Sequence, residues 1–276
     1  MIAIGFAVAF AAVWNLASPE RNAVGAAPAD LPVRDIEFVS HGATLRGWFV
    51  PVGQRNGHRG VIVLLHGVRG NRLQMADRAR FLHRAGYAVL LFDSRAHGQS
   101  GGDAITFGHL ESEDARAAVA LARTLAPGEP VGVIGVSLGG AAVLLANPPL
   151  DVDAMVLESV YPSIDRAIAN RLRWRAGFLT PLFAPMLESM IPVRLGFHAS
   201  ELRPIVHIGK LTPAKFFLFG TADRDTTVEE SMELFNSAAE PKQMWAVEGA
   251  AHVDLYSFAP REYERRVLEF LGRWVR

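Results

Sequence analysis

Short apolar runs alternate with amphipathic segments along most of the chain, and this alternation constrains the fold more than any other feature. "GVIVLLHG", "YAVLLFD", "VGVIGV", "DAMVLES", "AKFFLFG" and "KQMWAV" read as strands. Between them, "LQMADRARFLHRAG" places Met75, Ala79, Leu82 and Ala85 on one helical face. "ESEDARAAVALARTLA" reads as a helix opened by acidic residues, which suit the positive end of the helix dipole. "VEESMELFNSAA" and a final segment from Pro260 complete the set. Successive strand–helix–strand units cross over with one hand. They therefore predict an α/β fold, a mostly parallel sheet with helices on both faces. Near Asp35 the pattern differs: "DIEFVS" and "TLRGWFV", joined through "HGA", predict a hairpin.

Composition removes several function classes. There is no cysteine, so disulfides, thiolate catalysis and cysteine-held metals are excluded. Twenty-eight basic residues balance twenty-eight acidic ones, which leaves no field for capturing nucleic acid. The segment 1–17 is apolar and uncharged, and "NAVGAAPAD" follows it. Residues 1–34 are therefore expected to be an anchor or signal segment plus a Pro/Ala tether, with membrane association or export as the consequence. The folded domain is expected over 35–276 and to be soluble in itself.

The run "VGVIGVSLGGAAVLLA" begins as a strand and ends as a helix, with Ser137 at the turn between them. Gly135-Val136-Ser137-Leu138-Gly139 matches Gly-x-Ser-x-Gly in the strand-to-helix context of a nucleophile elbow. Side chains two residues to either side of such a sharp turn would collide, which explains the glycines. The bland alternative is a tight turn in which Gly140 and Ala141 allow close packing.

A serine hydroxyl needs a base to take its proton and a carboxylate to orient that base. Asp223 lies in "GTADRDTT" after one strand, and His252 in "VEGAAHVDLYS" after the next. Both positions fall at the carboxyl ends of strands, where open α/β sheets carry their sites. Glu158, Asp225 and Asp254 are rival carboxylates nearby. His41 and His58 read as surface residues of hairpins, while His66 and His97 read as backbone braces in loops facing the site. For the developing oxyanion, the backbone N–H of Leu138 and that of Val68 in "HGVRGNR" are the expected donors.

"GVSLGG", "LLHGVRGN" and "FDSRAHGQSGG" together resemble the α/β-hydrolase superfamily, of the serine esterase and lipase type, over nearly everything after Asp35. Ala96 stands where the third motif has glycine in that family. The chain order Ser, Asp, His is also that family's order. The resemblance implies Ser137 as nucleophile, His252 as base and then acid, Asp223 as orienting carboxylate, and Val68 with Leu138 as oxyanion donors. It further implies no cofactor and a small-molecule or lipid-like acyl substrate, cleaved through an acyl-enzyme. An aminopeptidase or amidase on the same groups and a non-catalytic binding protein are the alternatives. The stretch 161–208 sits where such proteins insert a small helical cap. Ile164, Ile168 and Leu172 there have helical spacing, and Arg171, Arg173 and Arg175 read as a solvated face or as contacts for an acidic substrate.

Overall fold

The computed structural model describes residues 2–52 and 59–276, so His58 and the side chain of Arg175 lie outside the described residues. Strands β1 (Arg34–Ser40), β2 (Ala43–Val50), β3 (Val61–Leu65), β4 (Ala88–Phe92), β5 (Val131–Val136), β6 (Ala154–Glu158), β7 (Ala214–Gly220) and β8 (Lys242–Val247) form one sheet. Its order is β1-β2-β4-β3-β5-β6-β7-β8. β1 and β2 pair antiparallel, as does β2 with β4, and every pair beyond is parallel. The expected hairpin is β1–β2. His41 and Gly42 turn it at φ +40° and +78°, the left-handed pair that matches the twist of the strands.

The helices are α1 (Ile2–Ala17), α2 (Ala76–Arg84), α3 (Glu111–Leu125), α4 (Leu138–Leu145) and α5 (Ile164–Ala176), followed by α6 (Thr180–Leu195), α7 (Pro204–Ile208), α8 (Val228–Ser237), α9 (Leu255–Phe258) and α10 (Pro260–Trp274). β3 to β7 are buried on both faces, which is why they read as unbroken apolar runs rather than alternating ones. Val61, Val63 and Leu65 of β3 enter one core with α3 and α4, while Ile62 and Leu64 enter the other with α2 and α10. Each fully buried aliphatic or aromatic side chain contributes about 1.5–3 kcal/mol to this two-sided packing.

α3 opens with acidic residues as expected, and two of them do more than meet the helix dipole. Glu111 turns back to accept from Thr106 N (2.8 Å) and Gly108 N (2.8 Å), and Asp114 pairs with Arg95 (2.6 Å). These carboxylates hold the preceding loops, a tertiary role that a dipole argument does not anticipate. The segment between β6 and β7 is helical, formed by α5, α6 and α7, with 3-10 turns between them.

The stretch after α1, expected as a tether, is instead fastened to the domain. Val24 enters the core beside α2 and α10, with Ala27, Leu31 and Val33 packed against it. Its few apolar side chains are spaced so that they reach the sheet's flank, which composition alone concealed. α1 itself lies along α6, burying Ala9 and Val13 against Leu187. Among the described residues no helix is long and apolar enough to cross a membrane.

Candidate active site

Ser137 sits directly beyond β5 with φ +49° and ψ −106°, a strained conformation for any residue with a side chain. The glycines around it are sterically required. A Cβ on Gly135 would lie 2.6 Å from Gly140 N, and one on Gly139 would lie 2.5 Å from Leu65 O. The Ser137 N–H donates to Glu158 O (2.8 Å) and its carbonyl accepts from Ala141 N (2.9 Å), so the turn is held from the next strand and from α4. Leu138 is the first residue of α4, where backbone N–H groups have no partner within the helix.

Asp223 follows β7 and His252 follows β8, and the structure joins them. His252 Nδ1 donates to Asp223 Oδ2 at 2.8 Å, while Oδ1 accepts from Asp225 N and Thr226 N, each at 2.9 Å. The aspartate side chain is fully buried, whereas the imidazole is 24 % exposed. With Nδ1 occupied as a donor, Nε2 is the nitrogen left to exchange a proton. Thr226 Oγ1 also donates to Ser159 O (3.5 Å), which ties the Asp223 loop to the strand end beside Ser137.

The rival carboxylates are engaged elsewhere. Glu158 takes Arg78 Nη2 on Oε2 (2.7 Å) and Arg78 Nε on Oε1 (3.0 Å), with the Tyr263 hydroxyl on the same Oε1. Asp254 accepts from Arg78 Nη2 (2.9 Å) and from Tyr256 N (2.9 Å), capping α9. Asp225 faces Arg171 at 3.6 Å. Burial works against the charge on Arg78, yet Glu158, Tyr263 and Asp254 together more than compensate and raise its pKa well above the usual value. Arg78 and Tyr263 escaped the sequence reading. Arg78 lies in a helix whose apolar stripe identifies the buried face, and a buried arginine has no pattern of its own.

The loop after β3 is shaped by two neutral histidines. His66 Nε2 accepts from Ser94 N (3.0 Å) and its Nδ1 donates to Gly67 O (2.7 Å). His97 Nε2 accepts from Arg69 N (3.0 Å) and its Nδ1 donates to Arg95 O (2.8 Å). Burial lowers both rings, that of His66 to about 3 with neighbouring His97 adding to the effect. Gly67 N donates to Gln74 Oε1 (3.0 Å), so the amides on both sides of Val68 are tied, while among the described residues none accepts from the Val68 N–H. Ala96 keeps φ +58° where the resembled motif has glycine, so that loop retains its left-handed turn with a methyl group present.

Beside Asp223 lies a cleft of about 470 Å³ between α5 and the β7–α8 loop, with Asn170, Arg173, Thr221 and Arg224 among its walls. No cluster of His, Asp and Glu arranged to hold a metal ion occurs among the described residues.

Sheet order, elbow and the joined Asp–His pair define an α/β hydrolase. The chain belongs to the family described as "Serine aminopeptidase, S33", which matches residues 56–204. It is similar to the Pyrococcus furiosus esterase Pf2001, with a TM-score of 0.78 and 25 % identity over 95 % of this chain and 99 % of that one. An uncharacterized Mycobacterium tuberculosis protein, Rv2307c, is 32 % identical over 244 residues, covering 86 % of this chain and 78 % of the relative. A monoacylglycerol lipase of Mycolicibacterium smegmatis is 37 % identical over 103 residues, 36 % of this chain and 37 % of that one.

Two measurements check the supports of the site. Arg78→Met leaves two carboxylates without their cation and is expected to cost about 3–5 kcal/mol in urea unfolding; a loss below about 1 kcal/mol would show that the network is not what holds these segments. For His66, the unfolded ring takes up a proton near pH 6.5 while the folded one does not until about 3. Stability is therefore fully present above about pH 6.5 and falls as the pH drops toward 3. His66→Asn is expected to start less stable and to lose less between pH 7 and pH 4.5. A variant whose urea midpoint falls as steeply as that of the wild type contradicts this.

Proposed function

We propose that the protein hydrolyses carboxylic esters, lipid esters and acyl thioesters included, through an acyl-enzyme on Ser137. The observation that carries this reading is the Asp223–His252 hydrogen bond at the same sheet edge as a strained serine elbow. Ser137 Oγ attacks the acyl carbon and passes its proton to His252 Nε2, which gives it to the departing alcohol. Water then attacks the acyl-enzyme, with His252 again taking the proton, and the acid leaves as Ser137 is restored. Asp223 holds the ring and stabilises its charged form. The N–H groups of Val68 and Leu138 receive the negative oxygen, at the position where preorganised donors act most strongly. Esterase and monoacylglycerol lipase among the similar proteins support an oxygen ester as substrate.

The family's description favours a second reading, in which the bond cleaved is an amide. The groups are the same and only the leaving atom differs, so turnover of a p-nitrophenyl ester against the matching p-nitroanilide separates the two.

Treatment with a fluorophosphonate is expected to add one phosphonyl group to the wild type and none to Ser137→Ala, read by intact mass. The same substitution is expected to lower ester turnover by about 10⁴-fold or more. Unchanged turnover in Ser137→Ala sinks the reading.

A further inference from the structure

The polar contacts of the segment leaving α1 converge on the two places that would carry the oxyanion donors. Glu20 bridges to His97 in parallel register, its N–H donating to Ala96 O (2.7 Å) and its carbonyl accepting from Gly98 N (3.0 Å). Its carboxylate Oε2 accepts from Arg69 Nη1 at 2.5 Å, and Oε1 accepts from Asn22 Nδ2 at 3.1 Å. Arg69 Nη2 also donates to Asn15 O at 2.8 Å. His97, the residue that Glu20 pairs, accepts from the backbone N–H of the same Arg69. Arg69 is thus gripped by side chain and by main chain while held at φ +60°, immediately after Val68. At the other donor, Ala17 O accepts from Ile105 N (2.8 Å), and Ile105 packs with Leu138 and Ala96.

We propose that Glu20 is a positioning residue for the oxyanion hole, acting through Arg69, and that residues 15–20 are a built part of the site. The inference rests on the serine-hydrolase reading above. The Glu20–Arg69 pair is partly solvated, at 26 % and 39 % side-chain exposure, so its contribution to overall stability is small. Donor placement is a different matter, because a displacement well under an ångström at a group that meets the transition state is felt in rate. A left-handed residue next to the donor needs an external hold, and two of its holds come from Glu20, one direct and one through His97. The prediction therefore separates kinetics from stability.

The experiment uses the full chain with Glu20→Gln, Glu20→Asp and, as control, Asp30→Asn. The control breaks another exposed ion pair of the same N-terminal stretch, Asp30 with Arg80 at 2.8 Å, remote from Val68. Two rates are measured, phosphonylation by a fluorophosphonate and turnover of p-nitrophenyl acetate, together with Tm. Glu20→Gln is expected to slow phosphonylation and kcat by roughly 5- to 30-fold with KM within about twofold. Tm is expected to move by no more than about 2 °C. Glu20→Asp, which keeps the charge, is expected to recover part of the loss, and Asp30→Asn to stay within about twofold of wild type. Glu20→Gln rates within twofold of wild type overturn the proposal. So does an equal loss in Asp30→Asn, or a rate loss that only follows a fall in Tm. The parent reading fails separately: if Ser137→Ala still turns over ester, no result at Glu20 can rescue it, whereas a Ser137-dependent adduct with unchanged Glu20→Gln rates overturns only the positioning role.

Discussion

A guanidinium with almost no access to water holds the Ser137 turn and the His252 loop in register. Arg78, from α2, reaches Glu158 at the tip of β6, Asp254 at the head of α9 and Tyr263 in α10. Glu158 is the register partner of Val136 and its carbonyl receives the Ser137 N–H. Asp254 lies two residues beyond His252. One side chain therefore fixes the distance between the strand that ends in the serine and the loop that presents the imidazole. A buried charge imposes this more strictly than apolar packing does. A methyl group tolerates a half-ångström slide, while an arginine that loses one carboxylate is left with an uncompensated charge in a medium that cannot solvate it.

Strain is confined to the same edge. Among the described non-glycine residues at positive φ, His41 belongs to the hairpin, and Arg69, Ala96, Phe107, Ser137 and Ser159 all lie in loops gathered around the carboxyl ends of β3 to β6. Such conformations persist only where surroundings over-determine them. Here each has an identifiable hold: Arg69 through His97 and Glu20, Ala96 by donating to Gly101 O, Ser137 through Glu158 O, Ser159 through Leu218 O, and Phe107 through its carbonyl, which accepts from the Tyr161 hydroxyl. The apolar sheet provides the rigid base from which those holds are made.

Much of this was legible beforehand, for a physical reason. Strands covered on both faces must be continuously apolar, and an elbow with no room for Cβ atoms must carry glycine, so both constraints are written directly in residue types. The Asp223 and His252 positions followed from where strands end. What was not legible depends on three-dimensional pairing among polar residues. Arg78, Glu111 and Asp114 sit in amphipathic helices where a charged residue ordinarily faces water, and only the fold shows that each meets a buried partner. The contacts of the N-terminal stretch are hidden in the sequence for the same kind of reason. Its small residues carry no periodicity, and Val24 and Glu20 become meaningful only opposite the core and Arg69.

The two sides of the candidate site are stabilised by different electrostatic means. The side around Asp223 rests on the ion pairs of Arg78 with Glu158 and Asp254 and on the hydrogen bond of Asp223 to the imidazole. The side around Val68 is shaped by the buried rings of His66 and His97, each offering an acceptor nitrogen to one backbone amide and a donor nitrogen to one carbonyl. A protonated ring in either place would lose its acceptor nitrogen and release the amide that it orders. At His66 burial prevents this across the range in which an exposed histidine titrates, since that ring is held down to about 3, and burial pushes His97 in the same direction. The buried His66 and His97 rings thus act as fixed parts of the loop around Val68, while the ring beside Asp223 is 24 % exposed.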